Sequence, residues 1–153
     1  MGCDQTIRLG AFSDTLLHRA ARRENYGFAM LLLRNGFPVD TPNKRGDTAA
    51  HITASKHHEF FMKLLLAHGA NANFENQAGN TPLHVAARNG NTFVIKHLID
   101  AGSAVNQTNS RKRTPLDEAM GNKHDETVRE ILNCGGESQS DRERPLFQMF
   151  DLS

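Results

Sequence analysis

Histidine and the basic side chains are the residues of this chain whose number and spacing could do chemistry. Three of its eight histidines, His18, His51 and His84, recur at one constant interval, and His57-His58-Glu59 groups two imidazoles with a carboxylate. Imidazole and carboxylate both ligate zinc, but adjacent residues seldom direct two imidazoles at one ion. No Cys or His partner follows at a metal-site spacing. Neither a metal nor a cofactor is expected. A catalytic reading is weaker still, because the chain holds no Gly-rich phosphate loop, Gly-x-Ser-x-Gly turn or HExxH helix. Cys134 stands directly before Gly135, at what should be the negative end of a helix, which disfavours a thiolate. The remaining chemistry is charge: clusters such as Arg22-Arg23, Lys44-Arg45 and Arg111-Lys112-Arg113 can form charge-assisted bonds to an acidic group.

The elements that must position these residues are visible as a repeat. Thr15, Thr48, Thr81 and Thr114 are 33 residues apart, and so are Gly36, Gly69, Gly102 and Gly135. Each threonine opens a first helix: Leu16-Leu17-His18, Ala49-Ala50-His51, Pro82-Leu83-His84, Pro115-Leu116-Asp117. Threonine is a good N-cap, and proline at the first helical position gives up no hydrogen bond. The small residues Ala20-Ala21, Thr53-Ala54, Ala86-Ala87 and Ala119 follow and allow helices to approach closely. A second helix carries the bulk at i, i+3, i+4 spacing: Ala29, Leu32 and Leu33; Met62, Leu65 and Leu66; Ile95, Leu98 and Ile99; Val128, Ile131 and Leu132. The glycines fit left-handed C′ positions, and the polar, turn-rich stretches after them predict projecting hairpins.

The run Thr81-Pro82-Leu83-His84-Val85-Ala86-Ala87-Arg88-Asn89-Gly90, continuing to Leu98-Ile99-Asp100-Ala101-Gly102, resembles the ankyrin unit, whose period is also 33. The resemblance is strong in the third repeat, good in the second and fourth, and degraded in the first, which has no proline and carries Phe37-Pro38 after its glycine. Thr53 replaces alanine in the second; Asp117 and Lys123 replace histidine and the inter-helix glycine in the fourth. It implies an all-α ankyrin-repeat solenoid of four helix-turn-helix-hairpin units at 10–42, 43–75, 76–108 and 109–136. A lead-in, 1–9, precedes the array and a tail, 137–153, follows it. It also implies that His18, His51 and His84 are structural, bonding between adjacent units, and that binding uses the concave face made by the hairpin tips and the exposed side of the first helices.

On that face the resemblance places Arg22, Arg23, Lys44, Arg45, Lys56, Arg88, Arg111, Lys112 and Arg113, against Asp14, Asp47 and Glu75. The whole chain is almost neutral, with 18 basic and 17 acidic residues, so its charge is segregated and not in excess. The expected function is non-enzymatic binding of another protein through an acidic surface, as a small inhibitor, adaptor or bacterial-type effector. Nucleic acid is disfavoured, because only Phe12 and Phe74 lie near enough to stack bases. The expected form is a monomer in the cytoplasm, or in a host cytosol if the protein is a secreted effector. A self-associating structural array is the alternative from a different class.

The two ends carry separate expectations. Met1-Gly2-Cys3 fits N-myristoylation at Gly2 with a second acyl site at Cys3, which would anchor the protein to a membrane surface. Without acylation no membrane partner is expected, since no apolar run is long enough to span a bilayer. Pro145 to Leu152 is rich in large apolar groups, and Leu146, Phe147, Met149 and Phe150 would either cap the last repeat or dock into a partner.

Overall fold

The computed structural model describes residues 12–143. Four helix pairs follow one another: α1 (Leu16–Arg22) with α2 (Tyr26–Arg34), α3 (Ala49–Ala54) with α4 (Glu59–Ala67), α5 (Pro82–Arg88) with α6 (Thr92–Asp100), and α7 (Pro115–Gly121) with α8 (Asp125–Asn133). A short α9 (Gln139–Glu143) comes last, and no β-strand occurs among the described residues. The first helices stack α1 on α3 on α5 on α7, and α4, α6 and α8 form a second layer behind them. The calls on Gly2, Cys3, Leu146, Phe147, Met149 and Phe150 lie outside the described residues.

Residue size explains the two layers. Ala20, Ala21, Ala54, Ala86, Ala87 and Ala119 are almost fully buried, so the short first helices can close on one another. Phe61, Met62, Leu65, Val94, Ile95, Leu98 and Ile131 fill the space between the layers. Thr53, the departure from alanine, is fully buried with its hydroxyl donating to the Ala49 carbonyl at 2.9 Å, so the extra polar atom is satisfied within its own helix. Gly36, Gly69, Gly102 and Gly135 take φ of +81°, +85°, +93° and +87°, the left-handed stop expected at each second helix. One stripe position departs from expectation: Leu132 in α8 is 52% exposed, and Met120 in α7 is exposed as well, at 55%. The last repeat has a packed neighbour on one side only among the described residues, so the apolar pattern inherited from interior repeats is left uncovered.

The histidines join one unit to the next. In each of the first three repeats the threonine N–H donates to histidine Nδ1 three residues on, at 3.1–3.2 Å. That bond makes Nδ1 an acceptor and leaves the proton on Nε2. Nε2–H then donates to a carbonyl of the following unit: His18 to Asp47 at 2.6 Å, His51 to Asn80 at 2.8 Å and His84 to Arg113 at 3.0 Å. Burial holds all three imidazoles below the ordinary histidine pKa. In the fourth repeat Asp117 accepts the Thr114 N–H at 2.9 Å and, where a histidine would donate onward, accepts the Gln139 N–H at 3.1 Å. The substitution follows the change of neighbour: the next group is an amide N–H at the start of α9, so the framework needs an acceptor there.

Candidate functional site

The hairpins project beside the first helices and are tied into a ladder, with one backbone–backbone bond per junction. Lys44 N–H donates to Phe12 O at 2.8 Å, Gln77 N–H to Arg45 O at 3.0 Å and Ser110 N–H to Ala78 O at 3.0 Å. Within each tip an asparagine side chain holds the turn; Asn109 Oδ1 accepts from the Arg111 and Arg113 amides at 3.0 and 3.1 Å. Stiff tips therefore carry the basic clusters. Between the tips and the first helices lies a cleft of about 560 Å³, lined among others by Arg22, Arg45, Asp47, Ser55, Gln77 and Arg88.

The basic residues on this side are not equivalent. Arg22 Nε donates to Asp14 at 2.7 Å and Arg88 Nε to Glu118 at 3.1 Å; the carboxylates are only 9% and 3% exposed, whereas the arginine side chains are 39% and 41% exposed. Each arginine lies over a buried carboxylate that cancels its charge. For Asp14, burial pushes the pKa up, but bonds from Arg22 and Asn43 outweigh it and the net shift is downward. For Glu118, burial likewise pushes up, and the Arg88 bond and charge with the Asn109 bond reverse it. Arg45 is held differently: its guanidinium stacks 4.4 Å from the Phe12 ring centre, with that of Arg22 at 5.8 Å from the same ring. Lys44, Arg111, Lys112 and Arg113 are exposed and make no ion pair among the described residues. Removing Arg88 should therefore cost stability where removing Arg111 should not. Arg88→Met is expected to lose about 1–2 kcal/mol in chemical denaturation, because Glu118 stays buried with Asn109 alone. Arg111→Ala should change stability by less than about 0.5 kcal/mol.

The nine basic residues do not all line one cleft. The structure brings Arg22, Arg45 and Arg88 into the main cleft, and Arg88 and Arg111 into an adjoining hollow of about 180 Å³. Arg23 instead lines a hollow at the α1–α2 junction, with Arg19, Asn25 and Phe28, and exposed Lys56 lines neither. The His57-His58-Glu59 group is dispersed as well: His58 Nε2 lies 3.3 Å from Glu24, and Glu59 bonds His97 Nε2 at 2.7 Å. No group of three His, Cys, Asp or Glu that could hold a metal ion occurs among the described residues. Cys134 is a free thiol at the end of α8, where burial and then Glu130 and Asp100 push its pKa up.

The family model for ankyrin repeats matches residues 2–76 and 60–143, nearly the whole chain. The chain belongs to the ankyrin-repeat family. No curated protein matches it. Ankyrin repeats generally mediate binding between proteins. Sequence reasoning missed two features of the array. Glu118 was not weighed as a counter-ion, since its partner Arg88 sits 30 residues away in the preceding repeat. Phe60 and Phe93, 71% and 63% exposed on the second helices, also went unremarked, although their 33-residue separation was a readable signal.

Proposed function

We propose that this ankyrin protein binds an acidic surface of another protein through its concave face, and that occupying that surface makes it a small inhibitor, adaptor or effector. The observation that carries the reading is the set of exposed cations at the hairpin tips, Lys44 and Arg45 in one and Arg111, Lys112 and Arg113 in another, none of them in an ion pair among the described residues. Arg22 and Arg88 play a second part. Their charge is balanced internally, but only Nε is engaged, and the terminal nitrogens have no bond among the described residues. They can present a planar, oriented donor edge to a partner carboxylate. The tip cations steer encounter, and the two seated arginines fix register.

The test is a pull-down from candidate cell lysates with mass spectrometry, followed by measured affinity for the captured protein. Wild type is compared with Lys44→Glu, Arg45→Glu, Arg111→Glu, which spares the arginines over buried carboxylates and should fold normally. Loss of one captured protein, with on the order of 100-fold weaker affinity and a wild-type melting curve, is the expected result. Equal capture by both proteins would remove the hairpin tips from the binding surface.

A further inference from the structure

The concave cleft has an internal order that its total charge hides. Arg22 and Arg45 share the Phe12 ring, at 5.8 and 4.4 Å from its centre, and Arg88 and Arg111 line one hollow further along the array. Each pair joins a first-helix arginine seated on a buried carboxylate, Asp14 or Glu118, to a hairpin-tip arginine with no ion pair among the described residues. Two guanidinium groups against one carboxylate leave a net positive charge at each pair. Exposed Lys44 stands next to the first in the chain, and exposed Lys112 and Arg113 stand next to the second. The middle is different. Arg22, Ser55 and Arg88 occupy the same repeat position, 33 residues apart, so the central repeat sets a short hydroxyl where its neighbours set a guanidinium. Asp47 repeats the position of Asp14 but has no ion pair among the described residues; its carboxylate accepts from Asn76 Nδ2 at 2.8 Å and lines the cleft. Exposed Glu75 lies just before Asn76 in the chain. From Arg22 and Arg45, past Asp47 and Ser55, to Arg88, the charge of the cleft reads positive, negative, positive.

We infer that the cleft takes an extended acidic segment of the partner, with two carboxylate side chains six residues apart and none midway between them. The inference rests on the proposal that this face binds an acidic protein. α1 and α5 each pack on α3, so the helices that carry Arg22 and Arg88 are two packing steps apart, about 16–20 Å. Six residues of extended or polyproline II chain advance about 19–20 Å. They also return the side chain to the same face, because six is a multiple of both the two-residue and the three-residue repeat. One carboxylate then sits at each arginine pair and cancels its charge through bonds to the open guanidinium nitrogens. Asp47 decides the middle. A third carboxylate there would meet a like charge, whereas an extended chain brings free backbone N–H groups that Asp47 can accept from. A helix keeps those N–H groups for itself, so the same reach on a helical partner leaves Asp47 unmatched.

Fluorescence anisotropy with the full chain tests this on labelled synthetic Gly/Ser peptides of one length, each with two glutamates set three, six or nine residues apart. The six-residue spacing is expected to bind tightest, by about tenfold over either of the others, although all three carry the same charge. Equal affinity, including no detectable binding of any peptide, overturns the proposal, as does a different best spacing. A third glutamate placed midway in the six-residue peptide should weaken its binding to wild type despite the added charge, and Asp47→Asn should remove that penalty. A gain on adding it to wild type overturns the role given to Asp47. Arg45→Ala and Arg111→Ala, each with a wild-type melting curve, should reduce the six-residue peptide to the affinity of a peptide with one glutamate. Indifference to either variant overturns the two-pair arrangement. The peptides read spacing, whereas the pull-down reads whether the tips capture a protein at all. Tip-dependent capture with no preference for spacing would keep the proposed function and remove this inference alone.

Discussion

Replacing His51 by leucine is expected to cost about 3 kcal/mol and to lower the thermal midpoint by roughly 6–12 °C. The side chain is 2% exposed and joins two units at once: Nδ1 accepts from Thr48 N–H, and Nε2–H donates to Asn80 O in the following repeat. Leucine fills much of the volume but leaves the buried Thr48 N–H without its partner and removes one of the two bonds to Asn80 O, which keeps the one from Asn76 N–H. The same geometry sets the response to acid. Protonating Nδ1 would point its hydrogen at the Thr48 N–H, and burial already disfavours the charged ring, so the folded pKa lies below the ordinary histidine value of 6.5. A group whose folded pKa is depressed contributes stability that is fully present above its unfolded pKa and is lost as pH falls through the folded one. His18, His51 and His84 all shift this way, so the midpoint of unfolding should fall steadily below about pH 6.5. His51→Leu should show a shallower decline over that range. An equally steep decline in the variant would show that His51 does not contribute to the acid transition.

Most of the fold was legible in the sequence because its period is strict. Threonine caps, left-handed glycines and the apolar i, i+3, i+4 stripe each report a local constraint, and local constraints recur wherever the unit recurs. Leu132 shows where that logic fails: its residue type is inherited from interior repeats, while its exposure depends on a neighbouring repeat that the fourth does not have among the described residues. The site was less legible for a related reason. Counting charges by repeat position put Arg22 and Arg88 with Arg111, yet Asp14 and Glu118, which neutralise the first two, occupy different repeat positions and reach them from different directions. A period predicts which residues are equivalent; it does not predict which unlike residues touch. Cation–π contact of Arg45 with Phe12 is of the same kind, since it joins the tips of two successive hairpins.

The fourth-repeat tip is joined to the hairpin before it by a close backbone approach, which leads to the other large expected effect. Gly79 has φ +70°, and a Cβ built there would lie 2.8 Å from Ser110 N and 2.9 Å from Ser110 Oγ, in the next hairpin. Gly79→Val should therefore lose about 3 kcal/mol, part from forcing a β-branched residue into the left-handed region and part from breaking the Ser110 N–H bond to Ala78. Lys112 occupies the equivalent place one repeat later, at φ +59°, and tolerates a side chain because no further described hairpin leans on it. Lys112→Gly should consequently change stability by less than about 1 kcal/mol, with relief of backbone strain offset by a freer unfolded chain. The two variants separate charge from placement in binding. Gly79→Val keeps every cation but pushes residues 109–113 away from the rest of the surface, so affinity for the captured partner should fall even at temperatures where the protein is fully folded. Lys112→Gly removes one charge and leaves the tip in position, and should weaken binding by only a few fold. If Gly79→Val melts as wild type does, the hairpin contact is not what holds the tip in place, and the arginines of the fourth repeat must be positioned by Asn109 alone.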